Sequence, residues 1–148
     1  MGALTRISFQ TPTEVALAYV RVFNRQDPTA LRELYSDDFV AENPRWHGML
    51  RNVDEVHREV TRVWATLPGA RFEIENLVAR GPVVVLELTF LWSDLRSGKG
   101  DDAHSADRSF SVTDVFWVVD GKLRALRAYL DSGTMASWLA EANERSSQ

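Results

Sequence analysis

The stretch RSFSVTDVFWVVDGKLRALRAYL, residues 108–130, decides the fold of this chain. Asp120-Gly121 is a strong signal for a two-residue hairpin turn. On both sides of it, apolar side chains recur at every second position, which is the period of a half-buried strand. We therefore predict antiparallel strands over 108–119 and 122–130, joined by this turn.

Working back along the chain, the same period of two predicts strands over 83–92 and 71–78, and a short strand around 38–43. The segment 94–107 is polar and rich in Gly, Ser and Asp, so we predict a long hairpin loop there.

Helices are predicted before this strand-rich region. Their starts are Thr11, with Pro12 and Glu14 behind it, the pair Asp27-Pro28, and Asn52. We expect the second helix to include Tyr35, and a last helix to cover about 134–142.

Helices followed by an antiparallel meander indicate the α+β class. We predict a cone-shaped, curved antiparallel sheet that packs on the N-terminal helices around one mostly apolar central pocket. The length of 148 residues fits a single domain over 1–148, with flexible ends at 1–10 and 143–148.

Composition excludes several functions. The chain has no cysteine, which excludes a thiolate nucleophile and a Cys-ligated metal. Its formal net charge is −4 and it has no Lys/Arg cluster, so we expect no nucleic-acid partner. The longest apolar run, 83–92, is too short to cross a bilayer as a helix. We expect a soluble, cytoplasmic protein with no membrane partner.

Asp114 is the first candidate for chemistry. It shares one strand face with Phe110, Val112, Phe116 and Val118, so it is the one carboxylate on an apolar face. A buried carboxylate raises its pKa or finds a donor, and it can then act as an acid or a base. The alternative is an Asp114 that is paired within the sheet and only shapes it.

The sequence resembles the nuclear transport factor 2-like superfamily, which includes ketosteroid isomerases, SnoaL-like polyketide cyclases and limonene-epoxide hydrolases. The resemblance covers nearly the whole chain. It rests on the order and spacing of residues 18–27, 34–44, 47–48, 67–74, 114–122 and 129–131.

The resemblance implies roles for three residues. Asp114 falls where isomerases of this fold place an oxyanion-hole acid, and Tyr19 where they place the phenol donor. Asn43 stands where they carry the proton-shuttling carboxylate, and an amide cannot take a proton at neutral pH. Asn43 matches the epoxide hydrolases instead, but Ala128 lies where their acid would be. The resemblance also implies a homodimer, to which Trp117 and Tyr129 on the outer face of the sheet would contribute.

Further residues are expected around the pocket. His104, in the polar loop, is a minor candidate because some SnoaL-like enzymes use a His from this region. No ligand motif is present, so we expect no metal and no cofactor. Trp46 and His47 are expected at the rim, and the predicted walls are Leu86, Leu88, Phe90, Trp92, Phe116, Leu126 and Leu130.

The leading hypothesis is a cofactor-independent isomerase or cyclase that acts on a small apolar carbonyl-bearing molecule such as a polyketide, terpenoid or steroid. Asp114 would be the acid/base, Tyr19 the donor to the substrate oxygen and Asn43 a polar orienting group. Two alternatives stay open: an epoxide hydrolase-like enzyme, and a non-catalytic module that binds a small ligand or dimerises.

Overall fold

The computed structural model describes residues 10–43, 50–94 and 106–130. The predicted helix at 134–142, the predicted flexible ends and most of the predicted polar loop therefore lie outside the described residues. The described elements, in chain order, are α1 (Pro12–Arg25), α2 (Pro28–Leu34), β1 (Tyr35–Glu42), α3 (Val53–Thr66), β2 (Arg71–Arg80), β3 (Val83–Asp94), β4 (Ala106–Val119) and β5 (Lys122–Leu130).

The three predicted helix starts are confirmed by their caps. Thr11 and Glu14 form a reciprocal capping box at α1, and Asn52 and Glu55 form another at α3. The side chain of Asp27 accepts a hydrogen bond from the backbone of α2. None of the described helices is both long enough and apolar enough to span a bilayer.

The sheet is five-stranded with the order β1-β5-β4-β3-β2. The four later strands form the predicted antiparallel meander. The predicted α+β fold with a curved sheet is confirmed, but one pair of strands differs from the antiparallel prediction, because β1 runs parallel to β5. Parallel neighbours need a long crossover connection, and here α3 and the whole meander provide it.

The prediction that Tyr35 ends a helix was also wrong. Its backbone is extended, so α2 stops at Leu34 and β1 begins three residues earlier than expected. The register of β1 against β5 shifts between Tyr35 and Val40, and the Tyr35 ring packs on Phe39 with 4.5 Å between centroids. The irregularity holds Tyr35 against the core although it precedes the regular part of the strand.

Even-numbered residues over 84–92 of β3 and 112–118 of β4 face inward and are buried, whereas their odd-numbered neighbours face outward. The inner face of the curved sheet carries an aromatic cluster centred on Phe90. Its ring lies 5 to 7 Å from those of four neighbours, a normal spacing for aromatic pairs. These neighbours are Phe23, Phe72, Trp92 and Phe110. Helices α1 and α3 cover this face, and a cavity lies between them and the sheet.

Candidate functional site

A mostly apolar cavity of about 130 Å³ lies between the inner face of the sheet, α1 and α3. A cavity of about 150 Å³ can bind a benzene-sized molecule. The described walls therefore hold one ring or a short apolar chain. Five of the described lining residues carry polar side chains: Tyr19, Glu42, Asn43, Glu59 and Asp114.

Asp114 is a buried carboxyl in this cavity, with 3% of its surface exposed. Its cross-strand neighbours are Leu86 on β3 and Ala128 on β5, so the adjacent strands offer it no side-chain donor. Burial raises the pKa of Asp114 from 3.8 to about 7. At neutral pH the group is close to half protonated, and it can therefore either donate or accept a proton.

Tyr19 lines the same cavity from α1. Its ring meets that of Phe116 edge-on, with 5.3 Å between centroids, and this contact fixes the direction of the phenol. Burial raises the pKa of Tyr19 well above its usual value, and the nearby Tyr35 and Asp114 raise it further. Tyr19 is therefore a neutral donor beside Asp114 over the whole physiological pH range.

Tyr35 is a buried tyrosine that the sequence prediction placed in a helix and did not assign to the site. Burial and the charge of Asp114 raise its pKa, whereas Tyr19 acts in the opposite direction. The two phenols are near enough to shift each other's pKa, but their oxygens do not meet hydrogen-bond geometry. The Tyr35 hydroxyl is thus buried without a hydrogen-bond partner among the described residues. Tyr19, Tyr35 and Asp114 form one electrostatically coupled group.

Asn43 lies at the end of β1, is 8% exposed and lines the cavity. The structure therefore places the Asn43 side chain at the cavity. Ala128 also lines the cavity, opposite Asp114. The position where the epoxide hydrolases would carry their acid is therefore occupied by a methyl group.

Two glutamates border the cavity. Glu42 is partly exposed and pairs with Arg127 on the outer side, with Arg127 Nε 3.0 Å from Glu42 Oε2. Glu59 was not singled out from the sequence. It lies on α3 at the edge of the apolar stripe formed by Val56, Val60 and Val63, which all line the cavity. The sequence offered one signal for Glu59: it lies one helical turn from Val56 and from Val63, on the side of the helix that faces the cavity.

The predicted apolar walls divide into two groups. Phe90, Leu126 and Leu130 line the cavity as expected. The other four are buried in the core and are not among the residues that line the cavity. Those four are Leu86, Leu88, Trp92 and Phe116. Phe23, Phe72 and Phe110 take their place at the surface of the cavity.

The remaining predicted site residues, Trp46, His47 and His104, lie outside the described residues. In the described part of the chain, no group of three or more His, Asp or Glu side chains is arranged to hold a metal ion.

A second, more open cleft of about 650 Å³ lies on the other side of Tyr35. Its positive side chains have partners: Arg32 pairs with Asp54, and Lys122 donates to the backbone carbonyl of Glu33. None of the described residues that line this cleft is a buried carboxyl with a raised pKa, as Asp114 is in the inner cavity. The inner cavity is therefore the candidate active site.

Comparison with known proteins agrees with this architecture. IdmH from Streptomyces antibioticus, named as a candidate polyketide cyclase, is 19% identical with a TM-score of 0.73 over 88% of this chain and 99% of its own. A SnoaL-like polyketide cyclase from Agrobacterium tumefaciens is 20% identical with a TM-score of 0.67 over 88% and 98% of the chains. An LEH-like epoxide hydrolase from M. tuberculosis is 21% identical with a TM-score of 0.65 over 88% and 90%.

At these identities the similar structures establish the fold alone. No curated protein matches the chain. The model of the SnoaL-like domain matches residues 16–126, a segment that contains Tyr19, Asn43, Glu59 and Asp114. The chain belongs to the SnoaL-like domain family.

Proposed function

We propose that the protein is a cofactor-independent isomerase or cyclase that acts on a small apolar carbonyl-bearing molecule. The observation that carries this proposal is the fully buried Asp114, whose pKa is about 7, beside the neutral donor Tyr19 in an apolar cavity. Two such donors can share the negative charge that develops on a carbonyl oxygen when the neighbouring carbon loses a proton. Stabilisation of this enolate-like charge is the step common to carbonyl isomerases and aldol cyclases.

The dimensions of the cavity limit the size of the substrate. Its volume of about 130 Å³ suits one ring of a polyketide, terpenoid or steroid-like molecule. Asn43 would orient a second polar group of the substrate. We do not propose epoxide hydrolysis, since Ala128 supplies no acid at the matching position.

The test is the binding of para-nitrophenol, a single-ring mimic of an enolate whose colour reports its ionisation. The wild type should bind it and favour its ionised form. Tyr19→Phe and Asp114→Leu should each weaken binding by about 10- to 100-fold, as expected for a hydrogen bond to a charged group. Asp114→Asn is the matched control, because the amide keeps a donor.

Binding that is equally strong in the wild type, Tyr19→Phe and Asp114→Leu would contradict the proposal. Binding of the neutral phenol alone would favour the alternative, a ligand-binding module without chemistry. Circular dichroism and melting curves establish that each variant is folded before its affinity is compared.

We also propose that the protein works as a homodimer in the cytoplasm, paired through the outer face of the sheet. Val78 and Tyr129 on that face are 59% and 44% exposed, and Arg127 stacks over Trp117 between β4 and β5. Sedimentation equilibrium of the wild type and of Tyr129→Glu tests the dimer. A monomeric wild type at micromolar concentration would contradict it.

A further inference from the structure

The side chains that line the inner cavity include acidic groups and no basic one. Glu42, Glu59 and Asp114 are among the lining residues, and no described lysine, arginine or histidine is. Arg127 lies 3.0 Å from Glu42 on the outer face, and Arg62 lies 3.8 Å from Glu59. Neither arginine belongs to the lining. The charges around the cavity therefore attract a positively charged ligand.

Asp114 is the most deeply buried of the three carboxyl groups. It is 3% exposed, whereas the side chains of Glu42 and Glu59 are 38% and 23% exposed. Its cross-strand neighbours, Leu86 and Ala128, have no side-chain hydrogen-bond donor. A buried carboxylate is costly unless a counterion reaches it. A cation bound in the cavity would supply that counterion.

Aromatic rings form much of the remaining wall of the cavity. Phe23, Phe72 and Phe90 line it, and their ring centroids are 4.6 to 6.3 Å apart. Their planes meet at angles of 49° to 66°, so the three rings are not stacked face to face. Tyr19 and Phe110 add two more rings to the wall. Aromatic rings around one site hold organic ammonium ions, because the negative face of a ring attracts the cation.

The size and chemistry of the cavity limit which cation fits. A volume of about 130 Å³ suits one saturated ring or a nitrogen that carries a few small alkyl groups. An inorganic divalent cation needs several oxygen ligands at close range. In the part of the chain that the structure describes, no group of side chains offers them.

We propose that the inner cavity binds small apolar ammonium ions. The N–H group of the ligand donates to the ionised carboxylate of Asp114, and its carbon atoms pack against the rings of Phe23, Phe72 and Phe90. Ammonium binding does not depend on the proposed reaction, in which the protonated form of Asp114 acts as a donor. The two classes of ligand occupy the same cavity and therefore compete.

The test uses piperidine, a single saturated ring whose nitrogen is protonated at neutral pH. Tetrahydropyran is the matched neutral ligand, because it has an oxygen in place of the charged nitrogen in a ring of the same size. Isothermal titration calorimetry at pH 8 measures both affinities. The wild type should bind piperidine at least about tenfold more tightly than tetrahydropyran, as expected for a hydrogen bond between charged groups.

Asp114→Asn should weaken the binding of piperidine by about 100-fold or more, since the buried cation loses its counterion. Its affinity for tetrahydropyran should stay close to that of the wild type, because the amide and the carboxyl have nearly the same size. Asp37→Asn is the matched control, because Asp37 is exposed on β1 and lines the outer cleft. That variant should bind both ligands as the wild type does.

The affinity of the wild type for piperidine should rise by about tenfold per pH unit from pH 5 to pH 7 and then stay level. Below its pKa of about 7, Asp114 must release a proton before it can pair with the cation. Tyr19 and Tyr35 beside it have raised pKa values and stay neutral in this range. Glu42 and Glu59 are present in Asp114→Asn as well, so a pH dependence that this variant lacks belongs to Asp114.

Three results would overturn ammonium binding by Asp114. They are piperidine affinity that is unchanged in Asp114→Asn, affinity no greater than that for tetrahydropyran in the wild type, and affinity that does not change between pH 5 and pH 7.

Tyr19→Phe separates this proposal from the proposed function. It keeps the aromatic ring and removes the phenol donor, so it should weaken para-nitrophenol binding but change piperidine affinity by less than about threefold. A loss of piperidine affinity as large as in Asp114→Asn would overturn ammonium binding by the carboxylate, because it would indicate that the shape of the cavity decides the affinity. Phenol binding that ignores Tyr19 and Asp114 would overturn the proposed function and leave ammonium binding intact.

Discussion

Asp114 faces Ala128 directly across the antiparallel ladder between β4 and β5. The small methyl group leaves room for the carboxyl at the cavity surface but gives it no partner. This pairing explains why burial alone accounts for the raised pKa of Asp114. It also leads to a direct test by substitution at Ala128.

Ala128→Asp should place a second carboxylate beside Asp114 in the same apolar surroundings. Two like charges there cannot both ionise cheaply, so we expect a loss of about 2 to 4 kcal/mol in the free energy of unfolding at pH 8. At pH 4 both groups can be protonated, and most of the loss should disappear. Urea denaturation at the two pH values measures it. Ala128→Asn has nearly the same size without the charge, and an equal loss in that variant at pH 8 would refute the electrostatic explanation.

Asp114→Asn should stabilise the protein at alkaline pH. The folded-state pKa of about 7 lies above the unfolded value of 3.8. Well below pH 3.8 the group is protonated in both states and has no effect. As the pH rises through the window from 3.8 to about 7, the unfolded state ionises first and stability falls. The total cost above this window is about 4 kcal/mol.

The amide does not titrate, so Asp114→Asn should remove this cost. Its advantage over the wild type in denaturation experiments should be large at pH 8 and small at pH 4. A constant difference between the two proteins across this range would mean that Asp114 does not titrate inside the window.

Tyr19 and Tyr35 should respond differently to removal of the hydroxyl. The Tyr19 hydroxyl is proposed to donate to the substrate, so Tyr19→Phe should lower the rate of ketone isomerisation by about 100-fold. The Tyr35 hydroxyl is buried without a hydrogen-bond partner among the described residues, and such a group costs about 1 to 3 kcal/mol. Tyr35→Phe should therefore be neutral or stabilising in thermal denaturation. A marked destabilisation would indicate that the hydroxyl has a partner.

Affinity for para-nitrophenol should fall at high pH. Above pH 7 both the free ligand and Asp114 are ionised, so the complex must take up one proton. Linkage then predicts a loss of about tenfold in affinity for each further pH unit. Spectrophotometric titration between pH 7 and pH 9 measures the slope. In Asp114→Asn no proton is taken up, so the affinity should not change with pH over this range. An affinity that still falls with pH in this variant would assign the proton to another group.

Phe90→Ala should enlarge the cavity at the cost of stability. Phe90 is buried at the centre of the aromatic cluster and also lines the cavity. A buried Phe→Ala change costs about 3 to 5 kcal/mol. The milder Phe90→Leu should retain the fold and accept phenols with bulkier ring substituents than the wild type binds. An identical ligand range in Phe90→Leu and the wild type would show that Phe90 does not limit the size of the ligand.

Local chemistry explains why much of the fold was predictable. The capping residues Thr11 and Asn52, the turn at Gly121 and the alternation along β4 act over a few residues, so the chain alone reveals them. The parallel pairing of β1 with β5 joins residues far apart in the sequence, and no local pattern reports it. The same is true of Tyr35, whose place in the core depends on an irregular stretch of β1.

The residues of the candidate site also divide into those that a local sequence pattern reveals and those that it does not. Asp114 stood out because one carboxylate interrupts an apolar strand face. Glu59 did not, because a glutamate at the edge of an apolar helical stripe usually faces water. Only the curvature of the sheet, which leaves space beneath α3, turns that edge into a cavity wall. Leu86 is buried but does not line the cavity for a related reason, because the alternation along a strand gives the face of a residue and not its depth.

The pairing of β1 with β5 also constrains the order in which the chain can acquire its cavity. Ala41 lies beside Leu126 in that ladder, and both line the cavity. During synthesis β1 emerges early, but its neighbour in the sheet is the last of the described strands to be made. Contacts of such large sequence separation form slowly, because a long loop must close first. A ribosome-bound chain that ends before β5 would have the helices and the β2–β3 hairpin but no enclosed pocket, so the cavity can close only once β5 has been made.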